Sequence, residues 1–337
     1  MTKMPKGRWF FVLLVIVQTL IFGLGSAITK VAYESITPFW SMAFRFGFAT
    51  IVFALLFGRR IASQLRSARL GDWLPAAVCM ALSFISVNVA LDLTTATNVG
   101  FLCALPVVFT PIIATIVHRR RYPVAFLPVQ AVVVAGLYLL CCNGGALTFG
   151  PGEVLALVGA ATLAAALVFG ERGLGRLDAV SVAGTQIAAS FVLSLAFALI
   201  AEPPVNIAEV TPAAWAVVAF LAVLSTCLTF LLQNVALMGL KPQTVSLLLT
   251  GEPVFTALFS FVILGETLQA MGLVGAAVIV CAVVVATLLE GRSDGAAECP
   301  EDAEGGEGAE HRGHGLPLVP GVDSACAQSV VSSSLKA

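Results

Sequence analysis

Ten successive apolar stretches fill residues 9 to 290. Each runs for roughly 17–25 residues, enough to cross ~30 Å of hydrocarbon at about 1.5 Å of helical rise per residue. Charged residues make up only 11% of the chain, and almost none interrupt these stretches. A soluble domain of 337 residues with 59% hydrophobic content would have too thin a polar shell to cover its apolar surface. The pattern predicts an all-α integral membrane protein with ten transmembrane helices.

The spans are expected near 9–29, 38–57, 73–91, 95–117, 124–142, 152–170, 179–200, 213–237, 242–264 and 269–289. All four tryptophans (Trp9, Trp40, Trp73 and Trp215) fall at span starts, where amphipathic rings prefer the membrane interface. Cations set the orientation. With the N-terminus inside, Lys3, Lys6, Arg8, Arg59, Arg60, Arg66, Arg69, Arg119, Arg120, Arg121, Arg172, Arg176, Lys241, Arg292, Arg312 and Lys336 are all cytoplasmic. Lys30, at an outer end, and Arg45, within the second span, are the exceptions. This alternation predicts both termini in the cytoplasm and a plasma-membrane location, in a bacterium the inner membrane. The apolar run from Trp9 to Phe22 continues into a full span, so no cleavable leader is expected.

Residues 1–8 read as a cytoplasmic N-terminus and 291–337 as a disordered tail, since SDGAAECPEDAEGGEGAEHRGHG is Gly- and acid-rich without apolar periodicity. The eight cysteines show no metal-ligand spacing and read as small buried hydrophobes. Histidine occurs before residue 290 only as His118, and neither HExxH nor GxSxG is present, which argues against an enzyme. GERGLG at 170–175 follows an apolar helix and lacks a Lys-Ser/Thr ending, so it reads as a connecting loop. No cofactor, metal or nucleic-acid partner is expected. A small-molecule substrate and the lipid bilayer are.

Residues 88–110, NVALDLTTATNVGFLCALPVVFT, align without gaps to 234–256, NVALMGLKPQTVSLLLTGEPVFT, with nine of 23 positions identical. The matched segments are the end of span three with span four, and the end of span eight with span nine. Each half therefore holds five spans, and an odd repeat inserts the second copy upside down. The halves are placed at 9–146 and 147–290. Such a duplication favours a carrier over an inert scaffold.

Several segments then resemble the EamA type of the drug/metabolite transporter superfamily: GSAITKVAY ending at Tyr33, MAFRFGFA around Arg45, TGEPVFTALFSFVILGETL from Thr250 to Leu268, and Gly272 and Gly275. The resemblance covers residues 9 to 290. It implies two five-helix repeats and gradient-driven export of a small metabolite, amino acid or drug by alternating access. Family members often carry a Gly-Glu pair after span four as well as after span nine. Gly265–Glu266 supplies the second pair, whereas HRRRY at 118–122 stands in place of the first.

Glu252 is the foremost candidate for chemistry. A charge midway along a span costs roughly 2.5–3.5 kcal/mol, and Pro253 beside it removes a helical hydrogen bond while Gly251 loosens the same turn. A broken polar helix at that depth needs protein or a water-filled cavity around it. Thr250, Gly251, Glu252 and Pro253 are therefore expected to line a cavity, with Glu252 binding a cationic group or a proton; the alternative is a carboxyl that only staples helices. Arg45 could reach Glu252 as an ion-pair partner or turn elsewhere. Pro106 occupies the neighbouring repeat position in span four. Asn88 and Asn234 are either interhelical hydrogen-bonding groups or part of the cavity lining. A nucleotide-sugar or phosphate-ester exchanger is the weaker alternative, because no Lys/Arg cluster lies at mid-membrane to meet a polyanion.

Overall fold

The computed structural model describes residues 7–94, 96–119, 127–142, 150–265 and 270–297. The acidic tail beyond 297 and Glu266 lie outside them. The first half contains α1 (Arg8–Tyr33), α2 (Pro38–Ser67), α3 (Leu70–Leu93), α4 (Ala96–Cys103), α5 (Pro106–His118) and α6 (Leu127–Cys142). The second contains α7 (Pro151–Leu174), α8 (Ala179–Ala201), α9 (Pro212–Ala222), a π-turn at Val223–Leu228, α10 (Thr229–Ala236), α11 (Pro242–Leu249), α12 (Glu252–Leu264) and α13 (Ala270–Ala297). The pairs α4–α5 and α11–α12 each form one broken span, and α9, the π-turn and α10 form another. Among the described residues nine spans have the length and composition to cross a bilayer, and α6 is a shorter apolar helix that brings the number to ten.

Three helices outrun their apolar stretches, and α7 runs on to Leu174, so most of the 170–175 segment expected as a connecting loop is helical. α2 continues to Ser67 and α13 to Ala297, because neither extension meets a proline and polar residues continue a helix freely once it has left hydrocarbon.

The inversion of the repeats can be read from α2 and α8, the second span of each half. At one end of the bundle Arg60 near the C-terminus of α2 pairs with Asp178, the N-cap of α8. At the opposite end Glu202, just past α8, accepts from Phe39 N and Trp40 N at the start of α2, both at 3.0 Å, and from Thr37. The equivalent helices therefore lie side by side and antiparallel.

α3 and α7 are tied in the same way. Arg176 reaches Asp72 at 3.3 Å at the first end, and Glu153 accepts from Thr94 at the second. Between these ties Gly159 and Gly173 let the backbones approach: a Cβ on Gly159 would stand 2.9 Å from Val87 Cγ2, and one on Gly173 would stand 2.6 Å from the Asp72 carbonyl. Ser83 donates to the Gly159 carbonyl at 2.8 Å across the same seam.

Carboxylates cap helix starts at both ends, as Asp178 does for Ser181 N and Asp72 for Arg69 N, and the ends differ in the cations added to them. One carries cation–carboxylate pairs, to which His118 and Glu171 add a contact of 3.1 Å. The other uses Glu202 and Glu153 to satisfy the free N–H groups of helix starts.

Four apolar clusters fill the interior, and two of them position the broken spans and their neighbours. Phe46, Phe53, Met80 and Ile187 join α2, α3 and α8, with Phe84 and Phe230 packed on Phe46. Val107, Val133, Leu137, Leu247 and Ile279 join α5, α6, α11 and α13. This second cluster brings the two broken spans against each other.

Candidate functional site

The breaks in spans four and nine are the same structure built twice. An offset of 146 residues carries Ala96–Cys103 onto Pro242–Leu249 and Pro106–His118 onto Glu252–Leu264. It also carries three backbone hydrogen bonds of one break onto the other. Ala104 N and Leu105 N reach back three residues to Phe101 O and Leu102 O, at 3.2 and 3.1 Å. Thr250 N and Gly251 N reach Leu247 O and Leu248 O at the same two distances. Past the break, Phe109 N bonds Leu105 O as Phe255 N bonds Gly251 O. Each interruption is thus one tightened turn, the usual way a helix end satisfies carbonyls that have lost their partner. The left-handed residues that terminate α5 and α12, Arg119 at φ 50° and Gly265 at φ 67°, also correspond.

What fills the two turns differs. In span four Pro106 is the first residue of α5, where its missing N–H costs nothing, and it is buried. In span nine Glu252 is the first residue of α12 and Pro253 the second. The carboxyl therefore sits at the positive end of a half-helix dipole.

Glu252 is half-buried rather than packed into the core. Its hydrogen bond, from the exposed Ser26 of α1, is a long 3.3 Å.

Arg45 does not form an ion pair with Glu252. Nε donates to Thr226 Oγ1 at 2.7 Å and Nη2 to the Ser225 carbonyl at 2.8 Å, both in the π-turn. The guanidinium also lies 5.5 and 5.8 Å from the ring centroids of Phe46 and Phe84. Of the direct-pair and elsewhere alternatives, the structure takes the second, because span eight offers a carbonyl and a hydroxyl closer than the carboxylate.

The other candidates separate into two groups. Thr250 and Gly251 form the turn before Glu252, with Thr250 Oγ1 folded back on Leu247 O at 2.6 Å. Pro106 stands at the matching break. Asn234 is fully buried and donates to Gln186 at 2.8 Å, tying α10 to α8 away from the acid. Asn88 turns its amide onto Phe84 O of its own helix. Gln18 and Gln233 form a further buried tie at 2.8 Å, between α1 and α10.

Sequence reading missed Ser26, Ser225, Thr226 and the π-turn. The polar run Ser225–Thr226–Cys227 inside an apolar span was the signal available for Ser225 and Thr226. A π-turn itself has no compositional mark, and Ser26 becomes notable only once α1 is seen against α12.

The sequence profile of the EamA-like transporter family matches residues 9–142 and 150–288. An uncharacterized transporter of Archaeoglobus fulgidus (strain ATCC 49558 / DSM 4304 / JCM 9628 / NBRC 100126 / VC-16) is 28% identical over 269 residues, which is 80% of this chain and 83% of that protein. A solved structure titled only as the crystal structure of a protein superposes with a TM-score of 0.73 at 20% identity, covering 86% of this chain and 100% of the other, and so shares the fold.

Proposed function

Because the chain belongs to the EamA-like transporter family, we propose that it is a gradient-driven carrier exporting a small metabolite, amino acid or drug by alternating access. The family is one of membrane transporters, not of enzymes. The observation that carries the finer reading is the residue-for-residue register of the two helix breaks. A pair of identical interruptions, inserted in opposite senses and packed against each other, provides two exchangeable arrangements around one midplane site. Broken backbone at that depth belongs beside a cavity.

Glu252 supplies the charge of that site. With one long hydrogen bond from Ser26, its carboxylate keeps acceptor capacity for a cationic group of the solute or for a proton. The end of the bundle that holds Arg60, Arg176 and His118 faces the cytoplasm in this reading, with both termini, and the membrane is the plasma membrane.

Untargeted comparison of extracellular metabolites, with and without the protein, names the solute. Liposomes loaded with it then show saturable counter-transport by the wild type. Flux that is non-saturable and indifferent to solute on the far side identifies a channel and overturns the carrier reading. Uptake by Glu252→Gln that still responds fully to a pH gradient removes the proton from Glu252's role.

A further inference from the structure

Arg45 spends its hydrogen bonds on a backbone irregularity, and that irregularity leads back to Glu252. A π-turn departs from the i→i−4 ladder, so its carbonyl directions depend on outside partners. Ser225 and Thr226 are at its centre. The planar guanidinium holds the carbonyl of one and the hydroxyl of the next, with Ser225 Oγ at 3.3 Å as a third acceptor. A point charge such as an ammonium cannot span that set in the same geometry.

The clamped turn is the seat of α1. Gly25 lies so close that an added Cβ would stand 2.8 Å from Ser225 Oγ and 3.1 Å from Leu221 Cδ2. On the other side of α1, a Cβ on Gly23 would stand 2.6 Å from Phe255 Cβ and 2.9 Å from Thr256 N of α12. α1 is therefore wedged without slack between the π-turn and the half-helix that Glu252 begins. Ser26, the residue after Gly25, is the one that donates to the Glu252 carboxyl.

We infer that Arg45 is a positioning residue for Glu252: it fixes the π-turn, the turn fixes α1, and α1 presents Ser26 to the carboxyl. Its importance rests on the proposed role of Glu252 in solute or proton binding. Its test does not, because chemical labelling reads the surroundings of the carboxyl whether or not it binds anything.

The test is the rate at which dicyclohexylcarbodiimide labels Glu252 in the purified full-length protein, followed by mass spectrometry of the peptide that carries it. Melting temperature in the same detergent reports folding. Arg45→Lys keeps the charge and loses the fork. Thr226→Val keeps Arg45 and removes one of its partners. Gly25→Ala leaves both and displaces α1 from the turn. Each is expected to label Glu252 up to about fivefold faster than wild type, the effect of losing one long hydrogen bond. Wild-type rates in Arg45→Lys would make the charge alone sufficient and overturn the inference. Wild-type rates in Gly25→Ala would overturn it too, since α1 would then not carry the effect. If Arg45→Lys fails to fold, Thr226→Val and Gly25→Ala decide between the same two outcomes.

Discussion

The broken spans four and nine agree in backbone and disagree in chemistry. Helix lengths, the two tightened hydrogen bonds and the left-handed terminators coincide at a fixed offset, while Leu105-Pro106-Val107 stands opposite Gly251-Glu252-Pro253. Two different sequences therefore make one break. In span nine Gly251 and Pro253 bracket the turn; in span four a single proline at the first position of the second half-helix is enough. The interruption belongs to the architecture of both repeats, and the charge belongs to one of them.

The largest expected effect separates those two contributions. Glu252→Gln should lower transport about 10- to 100-fold, the range for losing one charge-assisted hydrogen bond. It should leave thermal stability within about 1 kcal/mol, since the carboxyl has only the long bond from Ser26. Equal losses of transport and stability would make Glu252 a staple, as the sequence alone allowed.

Glu153 gives the contrasting carboxylate. It sits at the third position of α7 and accepts from Thr94, from Asn98 at 2.9 Å and from Gly150 N at 2.9 Å. Glu153→Ala strands those donors and should cost about 3 kcal/mol of stability, read as a lowered melting temperature. If it costs nothing while Glu252→Gln does, the division between structural and functional acids is reversed.

A smaller effect tests the matched terminators. Arg119 adopts a left-handed conformation that its side chain disfavours, where Gly265 adopts it freely. Arg119→Gly should stabilise by about 1 kcal/mol and Gly265→Ala should destabilise by a similar amount, checked by thermal unfolding. Same-signed changes would mean the two ends are alike only in φ.

The smallest effect lies at the ion-paired end. Burial alone would raise the Asp178 carboxyl, but the Ser181 hydroxyl and amide and the Arg60 guanidinium more than offset it and hold the carboxyl below its usual value. A depressed carboxylate adds stability above its ordinary titration range and loses it as pH falls through the lowered one. Arg60→Gln should therefore cost less than about 1 kcal/mol near neutrality, because Arg60 is exposed, and nothing once Asp178 is protonated in acid. A constant cost across that range, measured by unfolding at several pH values, would remove the charge pairing as its cause.

Much of this molecule was legible before its structure. Apolar length gave the spans because lipid forces each run to satisfy its own backbone. The gapless match of 88–110 to 234–256 gave the paired breaks because proline and glycine mark them. The partner of Arg45 was not legible. Glu252 is its obvious electrostatic complement, but the π-turn that outcompetes it arises from packing among spans one, two and eight. Asn88 and Asn234 were ambiguous for a related reason: an amide's role depends on which neighbour faces it, and Asn234 faces Gln186. The extension of α2 past its apolar run escaped because hydropathy reports where lipid ends, not where a helix does.

The proposed carrier requires both breaks to wall one water-filled chamber. Single cysteines at Leu105 and Gly251, treated with a membrane-impermeant thiol reagent and read by mass spectrometry, test it directly. The account predicts that both react and that the transported solute protects both together. Failure of either position to react from any aqueous face, or protection of one without the other, would contradict it.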